Sequence, residues 1–197
     1  MQVYANLFRV FRNRIFTLST LAEMACFFTF FAYISSSPFI LQQIYGLSPF
    51  HFSLCFALNA LTIGIGAALG PQFKHTNTAL KCGAIDFMIA AVCLSFCLYV
   101  HAHLVVVMGF YIYLMISFGL MQPGLTATAL DAERKNAGAA SAIFGAAGFL
   151  AGAISSPIVA LGKIEVSSSI VMIAGALLCL LLTLPLCKTL RGQGKKK

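Results

Sequence analysis

Two acidic residues sit where acids are expensive. Glu23 lies about eight residues into an apolar run that begins near Ile15, roughly 12 Å along a helix rising 1.5 Å per residue. Asp86 lies about seven residues into another apolar run, beginning near Ala79. A charge in hydrocarbon costs at least a few kcal/mol, so such residues normally face a bundle interior or a wet cavity. The chemistry on offer is proton titration or attraction of a cation. The structural alternative is a carboxyl held near the interface by water or a basic partner, or simply protonated. Lys81 is five residues before Asp86 and about 140° around the helix, a poor partner. Thr20, Glu23, Phe27, Phe30 or Phe31, and Ile34 fall on one helical stripe. A carboxylate with ring faces beside it suits a lipophilic cation, although phenylalanine is also ordinary lipid-facing material. Tyr33 adds a hydroxyl that needs a partner.

The elements that position these groups follow from composition. Of 197 residues, 60% are apolar and 9% charged, against about 25% charged in a soluble domain. Mean hydropathy is +0.92. At roughly 20 apolar residues per spanning helix, the chain has room for six. Soluble enzymes, disordered segments and nucleic-acid-binding domains are excluded despite a net charge of +8. The expected spans are 15–34, 50–70, 79–100, 104–125, 137–161 and 168–186. They give an N-terminal segment 1–14, a six-helix domain 15–187 and a basic tail 188–197. Twelve of the 13 lysines and arginines then fall on one side, with Lys163 on the other. By the positive-inside rule both termini are expected in the cytoplasm, where Lys195 to Lys197 would meet anionic lipid. Arg9, Arg12 and Arg14 precede an apolar run too long for a signal peptide.

Seven cysteines without a C-x-x-C pair argue against a disulfide framework or a metal site; in apolar runs they act as small hydrophobes. No H-E-x-x-H, G-x-S-G or Asn-Pro-Ala occurs, which speaks against intramembrane proteases and aquaporin-type channels. No cofactor and no enzymatic activity are expected. Packing signals are plainer. Gly138, Gly145, Gly148 and Gly152 recur at helical steps in the fifth span, and Gly66 and Gly70 repeat the pattern in the second. Such ridges let helices approach and rock. Pro38 lies just past the outer end of the first span and Pro123 near the inner end of the fourth, on opposite sides of the membrane, a hint of the three-plus-three inverted repeat of transporters.

The run from Phe31 through Ser35-Ser36-Ser37-Pro38 to Gln42, then Ile44-Tyr45-Gly46-Leu47-Ser48 and Phe52 to Asn59, resembles a specific family. So do Gly119-Leu120-Met121-Gln122-Pro123-Gly124 and Ala137 to Gly145. The likeness is to the Bcr/CflA-type drug-resistance transporters of the major facilitator superfamily, from their seventh span onward. The resemblance implies an all-α fold of twelve helices in two six-helix halves, of which this chain would be the C-terminal one, two inverted three-helix repeats. It implies a bacterial inner-membrane protein that exports drugs or small metabolites by alternating access, driven by the proton gradient. Gly70-Pro71-Gln72-Phe73-Lys74-His75 departs from the superfamily's inner-loop pattern by lacking its Asp. By position, the first and fourth spans would line the cavity, making Glu23, Phe27, Tyr33 and Gln122 candidate cavity residues, with Asn59 behind them. The second and fifth spans would form a seam against the other half through Gly66, Gly148 and Gly152, and the third and sixth would face lipid. The expected partners are lipid, a small lipophilic or cationic substrate, and an N-terminal half or a second copy. The competing readings are a split-gene remnant without transport and a membrane scaffold for an intact transporter.

Overall fold

A computed structural model describes residues 10–194; Arg9 and Lys195 to Lys197, which entered the charge count, lie outside the described residues. Six long helices follow one another: α1 (Arg14–Phe39), α2 (Pro49–Leu69), α3 (Thr76–Tyr99), α4 (Leu104–Ala132), α5 (Ala137–Val159) and α6 (Ile164–Gly194). Each is long and apolar enough to cross a membrane, and no strand occurs among the described residues. The starts carry ordinary signals. Asn13 caps α1 by accepting from the Ile15 amide at 3.1 Å, and Ser48 followed by Pro49 starts α2.

The ends differ from the sequence reading, and the cause is proline. Ser35-Ser36-Ser37-Pro38 reads as a stop, yet α1 runs through it and into a π turn at Ile40–Ile44. In a membrane helix the backbone groups freed by proline are met by nearby hydroxyls and local π adjustment. Pro38 frees the Ile34 carbonyl, four residues back; around it Ser36 Oγ donates to the Ala32 carbonyl at 2.7 Å, and the Ile40 amide reaches back to Ser36 and Ser37 as the helix passes into the π turn. Likewise α4 passes Pro123 and absorbs Asp131 and Ala132, leaving a single 3-10 turn, Arg134–Asn136, before α5. α6 passes Pro185 and carries Lys188 and Arg191 on helix, where a separate tail from 188 was expected.

Packing reveals the symmetry. α1 packs on α5 and α6, α4 packs on α2 and α3, and α1 meets α4 in the centre. The first helix of each three-helix set thus lies against the second and third of the other. The third helices, α3 and α6, also pack together. Over half of the apolar stretch of α1 and of α4 is buried, 56% each, against 17% for α2 and 33% for α5. Those two helices present large apolar side chains outward, among them Leu54, Leu61 and Ile65 on α2 and Phe149, Leu150 and Ile154 on α5.

The glycines correct one expectation. Gly66, Gly148 and Gly152 do not form an open seam. A Cβ on Gly66 would collide with the Ile116 carbonyl of α4, and one on Gly119 with the Ile63 carbonyl of α2. Gly148 and Gly152 receive the rings of Phe27 and Phe31 from α1. Gly70 lies against the Leu120 carbonyl, 2.8 Å from its would-be Cβ, with the Pro123 ring at 3.7 Å. Only Gly138 and Gly145, of the ridge residues singled out, face open space with nothing within 4 Å. The sequence shows that small residues recur, but not which side of the helix has a neighbour.

Candidate functional site

α1 and α4 bring the candidate residues together at two levels of the bundle. Toward the basic end, Glu23 of α1 is 4% exposed and has Gln122 of α4 opposite it. Glu23 Oε2 and Gln122 Nε2 both lack a partner with hydrogen-bond geometry, as do Ser19 Oγ and Thr20 Oγ1, one turn earlier on the same helix. Four unpaired polar atoms in one apolar interior are exceptional, because buried polar groups normally find a partner. The one ion pair among the described residues joins Arg134 and Asp131 at 3.0 Å, so no base within that distance neutralises Glu23.

Ten residues on, about 15 Å along the helix, Tyr33 is buried and accepts a hydrogen bond at 2.9 Å from Asn59 Nδ2 of α2. Tyr33 stacks on Phe56 at 6.0 Å and tilts against Tyr111 at 5.1 Å. Asn59 Oδ1, Ser37 Oγ and the Tyr111 hydroxyl have no partner here. Tyr33→Phe removes the acceptor of the Asn59 amide and is expected to destabilise the bundle by on the order of 1 kcal/mol. Tyr33→Phe with Asn59→Leu should recover most of that loss, because no polar group is then stranded. Detergent melting curves of the two variants check it; equal loss in both would sink this account of the pair.

Between the two levels lies an aromatic layer. Phe27 contacts Phe30, Phe31, Phe118 and Phe149 with ring centroids 5.6 to 6.1 Å apart. Phe30 stacks on Phe118 of α4 at 4.6 Å. The five candidate cavity residues therefore do not line one open space. Glu23, Tyr33 and Asn59 are enclosed by these six helices, while Phe27 and Gln122 keep partial exposure. The stripe rule located Thr20 beside Glu23. Tyr111 and Phe118, from α4, carried no signal of their own because they meet α1 only through the fold.

Asp86, the other acid, has a plain role. Tyr113 of α4 donates to its Oδ1 at 2.9 Å, so it ties α3 to α4. Cys26 and Cys179 lie with their sulfurs 3.2 Å apart across α1 and α6, both free thiols, and no cluster of metal-binding side chains occurs among the described residues. The described cavity of about 1030 Å³ opens elsewhere, at the basic end, and includes none of the five candidates.

No family model matches the chain. Over 137 residues, 68% of its length, it is 35% identical to the uncharacterized MFS-type transporter YdgK of Bacillus subtilis (strain 168). The chain is a relative of the MFS-type transporters. It spans only 34% of the length of that relative. The architecture agrees: an all-α, multi-pass membrane protein of six helices, packed as two three-helix sets that meet through α1 and α4. In this MFS-related chain, α1 and α4 form the central contact and carry Glu23, Tyr33 and Gln122, while Asn59 comes from α2.

Proposed function

We propose that the chain is the C-terminal six-helix half of a proton-coupled efflux transporter of the Bcr/CflA type, a member of the major facilitator superfamily. It sits in the bacterial inner membrane with both termini cytoplasmic and works by alternating access beside an N-terminal half or a second copy. Its cargo is a small lipophilic or cationic compound. The observation that carries this reading is Glu23, buried and without a base at the α1–α4 contact opposite Gln122. A carboxyl placed there can exchange a proton with water when the helices part. The aromatic layer around Phe27 and Phe30 offers ring faces to a cation. The outward apolar faces of α2 and α5 and the open ridge at Gly138 and Gly145 support a partner bundle.

Co-expression with an N-terminal six-helix half, followed by ethidium flux in everted vesicles under an imposed pH gradient, tests the reading. Flux that needs both halves and the gradient is the expected result. Absence of flux with any partner half, or alone, would leave the remnant or scaffold reading.

A further inference from the structure

We infer that the basic end of the bundle holds the phosphate headgroup of an anionic phospholipid between α3 and α6. The cavity of about 1030 Å³ is walled by the ends of α1, α3, α4 and α6. Lys74, Lys81, Arg134 and Arg191 line it, with His75, while Asp131 is the one carboxylate in the lining. Asp131 is engaged by Arg134 at 3.0 Å, which leaves Lys74, Lys81 and Arg191 uncompensated by any ion pair among the described residues. The first turn of α3 opens into the same space. Thr76, Asn77 and Thr78 line it, and the residue before them, His75, makes no side-chain cap. Backbone amides at an uncapped helix start add to an anion site already formed by the cations.

The surface beside the cavity indicates a lipid over a free ion. On α3, Lys81, Ile85, Ile89, Val92 and Phe96 follow at steps of four, four, three and four residues, one face of a helix. The four apolar members are all exposed. On α6, Leu177, Leu181, Leu184, Lys188 and Arg191 make an equivalent face, again with the leucines exposed. α3 and α6 pack side by side. Two outward apolar stripes thus run along the bundle and end in Lys81 and Arg191, which both line the cavity. Acyl chains fit the stripes and a phosphodiester fits the cations, as expected for anionic lipid on the positively charged side of a membrane protein. Free phosphate would use the cations alone. This site is independent of the transport reading.

The test uses the full purified chain in dodecyl maltoside micelles doped with phosphatidylglycerol or, at equal mole fraction, phosphatidylcholine. Unfolding is followed by a thiol-reactive dye that reaches the buried Cys26 and Cys179 only on melting. Phosphatidylglycerol is expected to raise the midpoint by about 3 °C or more over phosphatidylcholine, less at high salt. The double variant Lys81→Gln with Arg191→Gln should lose at least half of that shift, and Lys163→Gln, at the opposite end, should keep it. If the double variant does not survive purification, Lys74→Gln, on an exposed turn, must reduce the shift. A shift that persists in the basic-end variants, or is equal with phosphatidylcholine, overturns the site. An equal shift with inorganic phosphate overturns the lipid assignment.

Discussion

Gly66→Ala should strip the chain of most of its detergent stability, and Gly66→Leu should leave no folded bundle, whereas Gly145→Leu should melt close to the parent. The contrast comes from what a new side chain meets. At Gly66 a Cβ would occupy the place of the Ile116 carbonyl, with the Leu120 amide nitrogen 2.9 Å away. Both are backbone atoms inside α4 and cannot swing aside as a side-chain tip would. Gly119 meets the α2 backbone in the same way, so the crossing is tight from both sides. Overpacking against movable side chains costs about 1–3 kcal/mol; separating two helix backbones forfeits their packing along the whole contact, and α2 packs chiefly on α4. Gly145 has no heavy atom within 4 Å of its would-be Cβ. Melting midpoints of the three variants decide the matter. A Gly66→Leu protein that melts with the parent would mean that α2 does not cross α4 at this point.

The second large effect is on transport. With a partner half supplied, Glu23→Gln should reduce proton-driven flux to background, a loss of tenfold or more on the order expected when a titrating group is removed. The residual flux should no longer vary with pH. The substitution keeps size and hydrogen-bonding capacity, so the bundle should melt normally. Asp86→Asn serves as the contrast, since Asp86 accepts from Tyr113 and is tied to α3–α4 packing. It should lower stability slightly and leave the pH profile in place. Unchanged flux and pH profile in Glu23→Gln would remove Glu23 from the coupling role, leaving the bundle and its family relation untouched.

Much of this was readable from residue order. Six spans follow from hydropathy, because a bilayer demands long apolar runs whatever their neighbours are. Glu23 stands out because a carboxyl in such a run is costly, and Thr20 follows from its place one turn away. Boundaries were the weaker part. Ser35-Ser36-Ser37-Pro38 reads as a stop under the rules of water-soluble helices, but in an apolar setting the chain keeps its remaining backbone bonds, and the helices run on through Pro38, Pro123 and Pro185 alike. The charged stretch Asp131 to Asn136 and the basic residues Lys188 and Arg191 are therefore partly helical.

Order along the chain was enough for the class of protein, the number of helices, the uneven distribution of positive charge and the presence of an acid within a span. Those properties are local: each depends on the transfer of one segment or one side chain between water and hydrocarbon. Tertiary structure alone decided which glycines are covered, since Gly66 and Gly145 differ only in what lies across from them. It also decided that Glu23 faces Gln122, that Tyr33 is paired with Asn59, and that an aromatic layer separates the two pairs. The same holds for the cations gathered from α3 and the turn before it, from the turn after α4 and from α6 around one cavity. Such pairings join residues tens to more than a hundred positions apart, and they depend on the angles at which six helices cross, a quantity that no single segment specifies.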